Sequence, residues 1–325
     1  AAAASMSHVA WDGFAHHDTI FPLFLFIAGV SFPYSVAKQR AGGMSEGRIY
    51  AKIVRRGLTL VVLGMVYNGL FKLDFENLRI ASVLGRIGLA WSIAAVLYLN
   101  FGVKTRAAIA VAVLAGYGAL SALVAAPDAA GAGPLTFEGN LAGYIDRQFL
   151  PGKLIYGSFD PEGLLSTVPA VVTAMLGMFT GEFVRRGDIR GGRKTLWMAA
   201  AAAALLAAGL AFSGVLPVNK KLWSSTFVCV VGAYSLGMFA LFYYLIDVRG
   251  WRRWTLFFRV VGLNSITIYL AQRIVGFGRI SDFFLGGIAS KCPEAVAAVI
   301  SSAGYVAVCW LFLYFLYRKN VFLKV

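Results

Sequence analysis

Long apolar runs alternate with short polar stretches along the whole chain, and each run is close to the length that crosses a bilayer. Nine spans are predicted, near 19–36, 58–71, 81–100, 107–126, 163–183, 195–216, 223–246, 255–275 and 295–317. Runs such as LWMAAAAAALLAAGLAF lack the every-second-residue alternation of a membrane barrel, so helices remain. The second run is short and is expected to recruit part of 53–57. The segment ISDFFLGGIASK at 280–291 is too short to span and is read as interfacial or re-entrant. The expected fold is all-α and polytopic, one transmembrane domain over 1–325.

Composition agrees with the pattern. Hydrophobic residues make up 59% of the chain and charged residues 14%, with a mean hydropathy of +0.73. A soluble domain carries about 25% charged residues. Cys229, Cys292 and Cys309 form no CxxC pair, so neither a disulfide framework nor a zinc site is indicated. The chain opens on four alanines rather than Met, and one further helix is expected upstream.

Charge then orients the spans. If 37–57 is cytoplasmic and the loops alternate, 19 of the 30 Lys and Arg fall in inner loops and nine in outer ones. Acidic residues split the other way, 11 outside and four inside. This obeys the positive-inside rule and accounts for the net charge of +15 without a nucleic-acid partner. His8 and the loop 127–162 are placed outside, and the C-terminus inside. A 36-residue loop among short ones is read as a cap for a polar ligand such as a sugar, or simply as a solvated cover.

Candidate chemistry gathers on that outer side. His8 precedes the first span and is a candidate general base or acyl acceptor, because neutral imidazole is basic and nucleophilic near pH 7. Asp12 and Asp18 are near enough in sequence to orient it; Asp18 equally suits a helix cap. His16 and His17 are adjacent, point apart and lack a third ligand, so no metal is expected. Arg86, a short way into the third span, is either a snorkelling cation or an anion contact facing the bundle interior. Asn264 and Gln272, in the eighth span, suit helix–helix hydrogen bonds. Gly177-x-x-x-Gly181 is a small-residue packing face. Trp11, Asp12, Asp146, Arg147, Asp160 and Glu162 are the candidate substrate contacts.

In order along nearly the whole chain stand HVAWDGF, DTIFPLFLFIAGVS, RIASVLGRIG, GNLAGYIDR, FDPEGLLSTVPAVVTAMLG, PVNKKLWSSTFV and GLNSITIYL. This ordered set resembles the heparan-α-glucosaminide N-acetyltransferase family. The resemblance implies a multi-helix acyltransferase, commonly a homodimer, in a bacterial inner membrane. It would take acetyl-CoA from the cytoplasm and acetylate a glucosamine-type amine on the far side. The family's active-site His matches His8, its acidic residue before the FP motif matches Asp18, and its donor-site Arg and Asn match Arg86 and Asn264. Asp12 departs from the family, where Asn or His is common. A sugar transporter or flippase is the rival reading, though the chain shows no inverted repeat and no matched pair of broken helices.

Overall fold

The computed structural model describes residues 9–323, among which twelve α-helices and two isolated bridges form, with no strand. The all-helical expectation holds. The chain divides into two compact units, Ala1–Arg249 and Gly250–Val325.

The first unit holds α1 (Ile20–Ala41), α2 (Glu46–Tyr67), α3 (Val83–Asn100), α4 (Val103–Leu123), α5 (Leu141–Phe149), α6 (Leu164–Arg185), α7 (Gly191–Phe212) and α8 (Ser225–Tyr243). The α1 helix packs on α6 with no side chain between their backbones. A Cβ on Gly29 would lie 2.2 Å from the Ala174 carbonyl oxygen, and one on Gly177 2.0 Å from that of Phe26. Gly181 meets the Val30 carbonyl in the same way. The Gly177-x-x-x-Gly181 face therefore does the packing expected of it. Around this seam Leu25, Phe32, Trp91, Met175, Met178, Trp223 and Phe227 form the main core.

Capping follows the sequence. Ser82, Asn140 and Ser224 each accept a hydrogen bond from the backbone three residues on, at 2.9, 2.7 and 3.2 Å, and so start α3, α5 and α8. The α5 helix was not expected inside the long loop; Asn140 nucleates it.

The second unit holds α9 (Leu256–Leu263), α10 (Ser265–Ile274), α11 (Phe277–Ala289) and α12 (Glu294–Arg318). The predicted span 255–275 is broken at Asn264, where α9 and α10 meet at 60°. The short segment near 280–291 is the 13-residue α11, too short to cross. It packs on α12, where a Cβ on Gly304 would come within 2.4 Å of Leu285 and Ser281 side-chain atoms.

Seven helices are long and apolar enough to cross a membrane, or eight if α9 and α10 count as one span. The remaining predicted span, 58–71, is the apolar end of α2. Its other half carries Glu46, Arg48, Lys52, Arg55 and Arg56, so the helix is long but too charged to count. Arg56 lies over the Trp91 ring, 4.4 Å from its centroid, which shows how that charged half is accommodated against α3.

Candidate functional site

Four connections of the first unit meet at one end of its helices: residues 9–19, 68–82, 124–163 and 213–224. We refer to this end as the cap face. His8 itself lies outside the described residues; the segment that follows it can be traced from Val9.

That segment is held from two directions. The Trp11 indole donates to the Leu135 carbonyl at 2.9 Å, and its ring meets Phe137 and Phe159 edge-on. From the other direction the Asn219 amide donates to Asp12 at 3.0 Å, and Lys221 Nζ donates to the Ala10 carbonyl at 2.6 Å. Asp18, 2% exposed, sits in the short turn His16–Thr19 that leads into α1. Its Oδ2 accepts from the Ala15 amide at 3.1 Å, and its Oδ1 lies 3.2 Å from Lys220 Nζ. His16 is exposed and rests edge-on against Tyr234.

Arg86 is 2% exposed, and so belongs to the interior rather than to a snorkelling position. It donates to the Ser166 hydroxyl and the Pro161 carbonyl through Nη2. Its guanidinium also lies 4.9 Å from the Trp223 ring centroid. Nε and Nη1 are buried with no hydrogen-bond partner among the described residues. A buried donor left unmet costs about 1–3 kcal/mol, so these two N–H groups are open to a further acceptor. It lines the end of a groove of about 430 Å³ whose walls include Leu89, Ile93, Leu97, Val113 and Val171.

Three acidic residues of the long loop are held by arginines, one from within the loop and one from the 68–82 connection. Arg79 grips Asp160 through two hydrogen bonds of 2.7 Å and also reaches Glu162. Burial alone would lower the Arg79 pKa, but the hydrogen bonds and charges of Asp160 and Glu162 outweigh it and hold the group above its ordinary value. Arg147 clasps Asp128 at 2.6 and 2.8 Å and donates to the Ser158 carbonyl. The hydrogen bond from Arg147 holds the Asp128 carboxyl below its usual range. Asp146 is fully buried and accepts from the Leu164 amide at 2.8 Å, so it fixes the start of α6. Burial pushes its pKa up to about 6.

The structure thus brings Trp11, Asp12 and Asp18 together with loop 217–221. Arg86 stands beside Pro161 and Ser166. Asp160, Glu162 and Arg147 hold the cap together. Asn264 belongs to the second unit, where it forms the α9–α10 break and bonds to Val321 and Thr267. The keystone missed in the sequence is Arg79. One signal was available, since it is among the few cations on the acid-rich side of the membrane plan.

Residues 2–215 match the family model described as heparan-alpha-glucosaminide N-acetyltransferase, catalytic. The chain belongs to this family. It is 27% identical over 375 residues to the human protein named heparan-alpha-glucosaminide N-acetyltransferase, and 26% identical over 372 residues to its mouse counterpart. Both alignments take in 98% of this chain, which spans about half the length of these curated relatives: 55% of the human and 56% of the mouse protein. With seven or eight helices fit to cross a bilayer, this member of the family is an integral membrane protein.

Proposed function

We propose that this protein moves an acetyl group from cytoplasmic acetyl-CoA to the amine of an amino sugar on the extracytoplasmic side of a bacterial inner membrane. The observation that carries the reading is the meeting of VAWDG, the 127–162 loop and PVNKKLW at one face, beside a buried arginine with unmet donors. Family membership supports the reaction class. The charge asymmetry of the loops supports placing this face, with His8, outside.

In this reading neutral His8 takes a proton from the sugar ammonium, and the freed amine attacks the thioester carbonyl carbon. Nε or Nη1 of Arg86 donates to the thioester oxygen as it gains charge. Collapse of the adduct forms the amide bond, breaks the carbon–sulfur bond and releases CoA as its thiolate, which takes up the second proton of the former amine nitrogen. In a two-step variant His8 accepts the acetyl group first and then passes it on. Asp18 sets the segment that bears His8. Trp11 and Asp12 line the acceptor side, and the whole chain acts as a single domain, as a homodimer.

The test is transfer of labelled acetyl from acetyl-CoA to glucosamine by purified protein with its native N-terminus. Turnover is expected, and His8→Ala is expected to abolish it while leaving acetyl-CoA binding intact. No transfer to any amino-sugar acceptor would falsify the reading. The break at Asn264 lends some weight to a transporter, since broken helices often line transport sites. Only one broken span occurs among the described residues, without an inverted mate. Sugar flux in the absence of acetyl-CoA would favour that alternative.

A further inference from the structure

The motif PVNKKLW has no part in the chemistry above, yet four consecutive residues of it grip the segment that follows His8. The Val218 carbonyl accepts from the Gly13 amide at 2.8 Å. The Asn219 side chain donates to Asp12, Lys220 pairs with Asp18, and Lys221 donates to the Ala10 carbonyl. We propose that this loop is a clamp that positions the His8 segment, with Asn219 and Lys221 as positioning residues for acetyl transfer. The inference rests on the reading that His8 carries the chemistry.

The loop is itself rigid, as a clamp must be. Asn219 is 1% exposed; its Oδ1 accepts from the Leu222 amide at 2.9 Å and its own amide donates to Ser224 Oγ at 3.0 Å. Ser224 in turn donates to the Pro217 carbonyl at 2.8 Å and caps α8. The grip is thus referred back to the end of a long helix. Lys221 adds the long loop to the same junction, with its ammonium 4.5 Å from the Tyr156 centroid, 5.9 Å from Phe137 and 6.0 Å from Trp11.

Covalent geometry gives the Ala10 contact its effect on neighbouring residues. Two residues of chain reach at most roughly 7 Å, so fixing Ala10 restricts the volume open to residue 8. Catalytic groups need placement to within roughly 0.5 Å, and a misplacement of about 1 Å costs on the order of 100-fold in rate. Ordinary packing would tie the loops together without lysine. An ammonium on a main-chain carbonyl instead fixes one backbone position.

Two substitutions test the clamp in the full chain, with acetyl-CoA and glucosamine as substrates. Lys221→Met keeps the packing on the rings but removes the ammonium. It is expected to lower kcat by roughly 100-fold with little change in the KM for acetyl-CoA or in Tm, and Lys221→Arg is expected to restore most of the loss. Asn219→Asp is nearly isosteric and sets a carboxylate against Asp12. The two carboxylates repel while both are ionised and the repulsion eases once the pair takes up a proton, so the activity of this variant relative to wild type should rise as the pH falls from about 8 to about 5. Wild-type kcat in Lys221→Met, a loss mirrored in Tm, or a pH profile of Asn219→Asp parallel to wild type each overturn the clamp while leaving the acetyltransferase reading intact. A wild-type protein with no transfer brings down both.

Discussion

Lys220 and Asp18 form an ion pair across more than 200 residues of sequence, with the carboxylate essentially buried and the lysine side chain 24% exposed. The same carboxylate closes the turn before α1 by accepting from the Ala15 amide. Capping and charge pairing are therefore two uses of one side chain.

This double use separates two variants. Asp18→Asn retains an oxygen for the Ala15 amide but loses the charge, and Lys220→Met removes the ion pair from the other side. Each is expected to destabilise the protein by about 1–3 kcal/mol, as losses of buried charged partners do. The double variant should lose less than the sum of the two. Thermal unfolding in detergent reads the cycle, and strictly additive losses would show that the contact contributes nothing.

Arg79 is the second point of stress. It holds Asp160 and Glu162 together, and Asp160 is fully buried. Arg79→Met leaves two carboxylates facing each other without their cation. A loss of about 3–5 kcal/mol is expected, because removing one side of a buried pair strands the other. Adding Asp160→Asn and Glu162→Gln should recover most of it. An Arg79→Met protein that unfolds like wild type would remove this network from the stability of the cap.

The sequence made the helices and their membrane character plain because twenty-residue apolar runs have one solution in lipid. It also singled out HVAWDG, FDPEG and PVNKKLW. What it could not do was pair them. The pairing of Asp160 and Glu162 with Arg79 was not legible, because ion pairs 81 and 83 residues apart leave no local pattern. The α5 helix was hidden in the same loop, since nine residues carry too little periodicity to stand out. Asn264 looked like a mid-span amide. The break at this residue comes with hydrogen bonds to Val321 and Thr267, which hydropathy does not register.

The α1–α6 seam gives a prediction about packing alone. A Cβ on Gly177 would meet the Phe26 carbonyl at 2.0 Å, and backbone cannot step aside as a flexible side chain can. Gly177→Ala should therefore cost on the order of 1–3 kcal/mol, the usual range for overpacking. Gly116→Ala, inside α4 where nothing lies within 4 Å, should be neutral or slightly stabilising. Equal melting temperatures for the two variants would contradict the close approach.

Asp146 sets a pH dependence whose sign can be worked out. Burial raises its pKa from 3.8 to about 6 in the folded protein, while the unfolded chain keeps the lower value. Between these values the folded state binds more protons than the unfolded one, so stability falls as the pH rises through that window. The cap is then firmest below about pH 4 as far as this group is concerned, and carries its full penalty above about pH 6. The difference amounts to about 3 kcal/mol at most. Asp146→Asn keeps an oxygen for the Leu164 amide and cannot ionise. The variant is expected to be more stable than wild type at pH 7.5 and to lose that advantage near pH 4, as read by thermal unfolding across this range. A stability gap that stays constant with pH would mean that Asp146 does not titrate in this window.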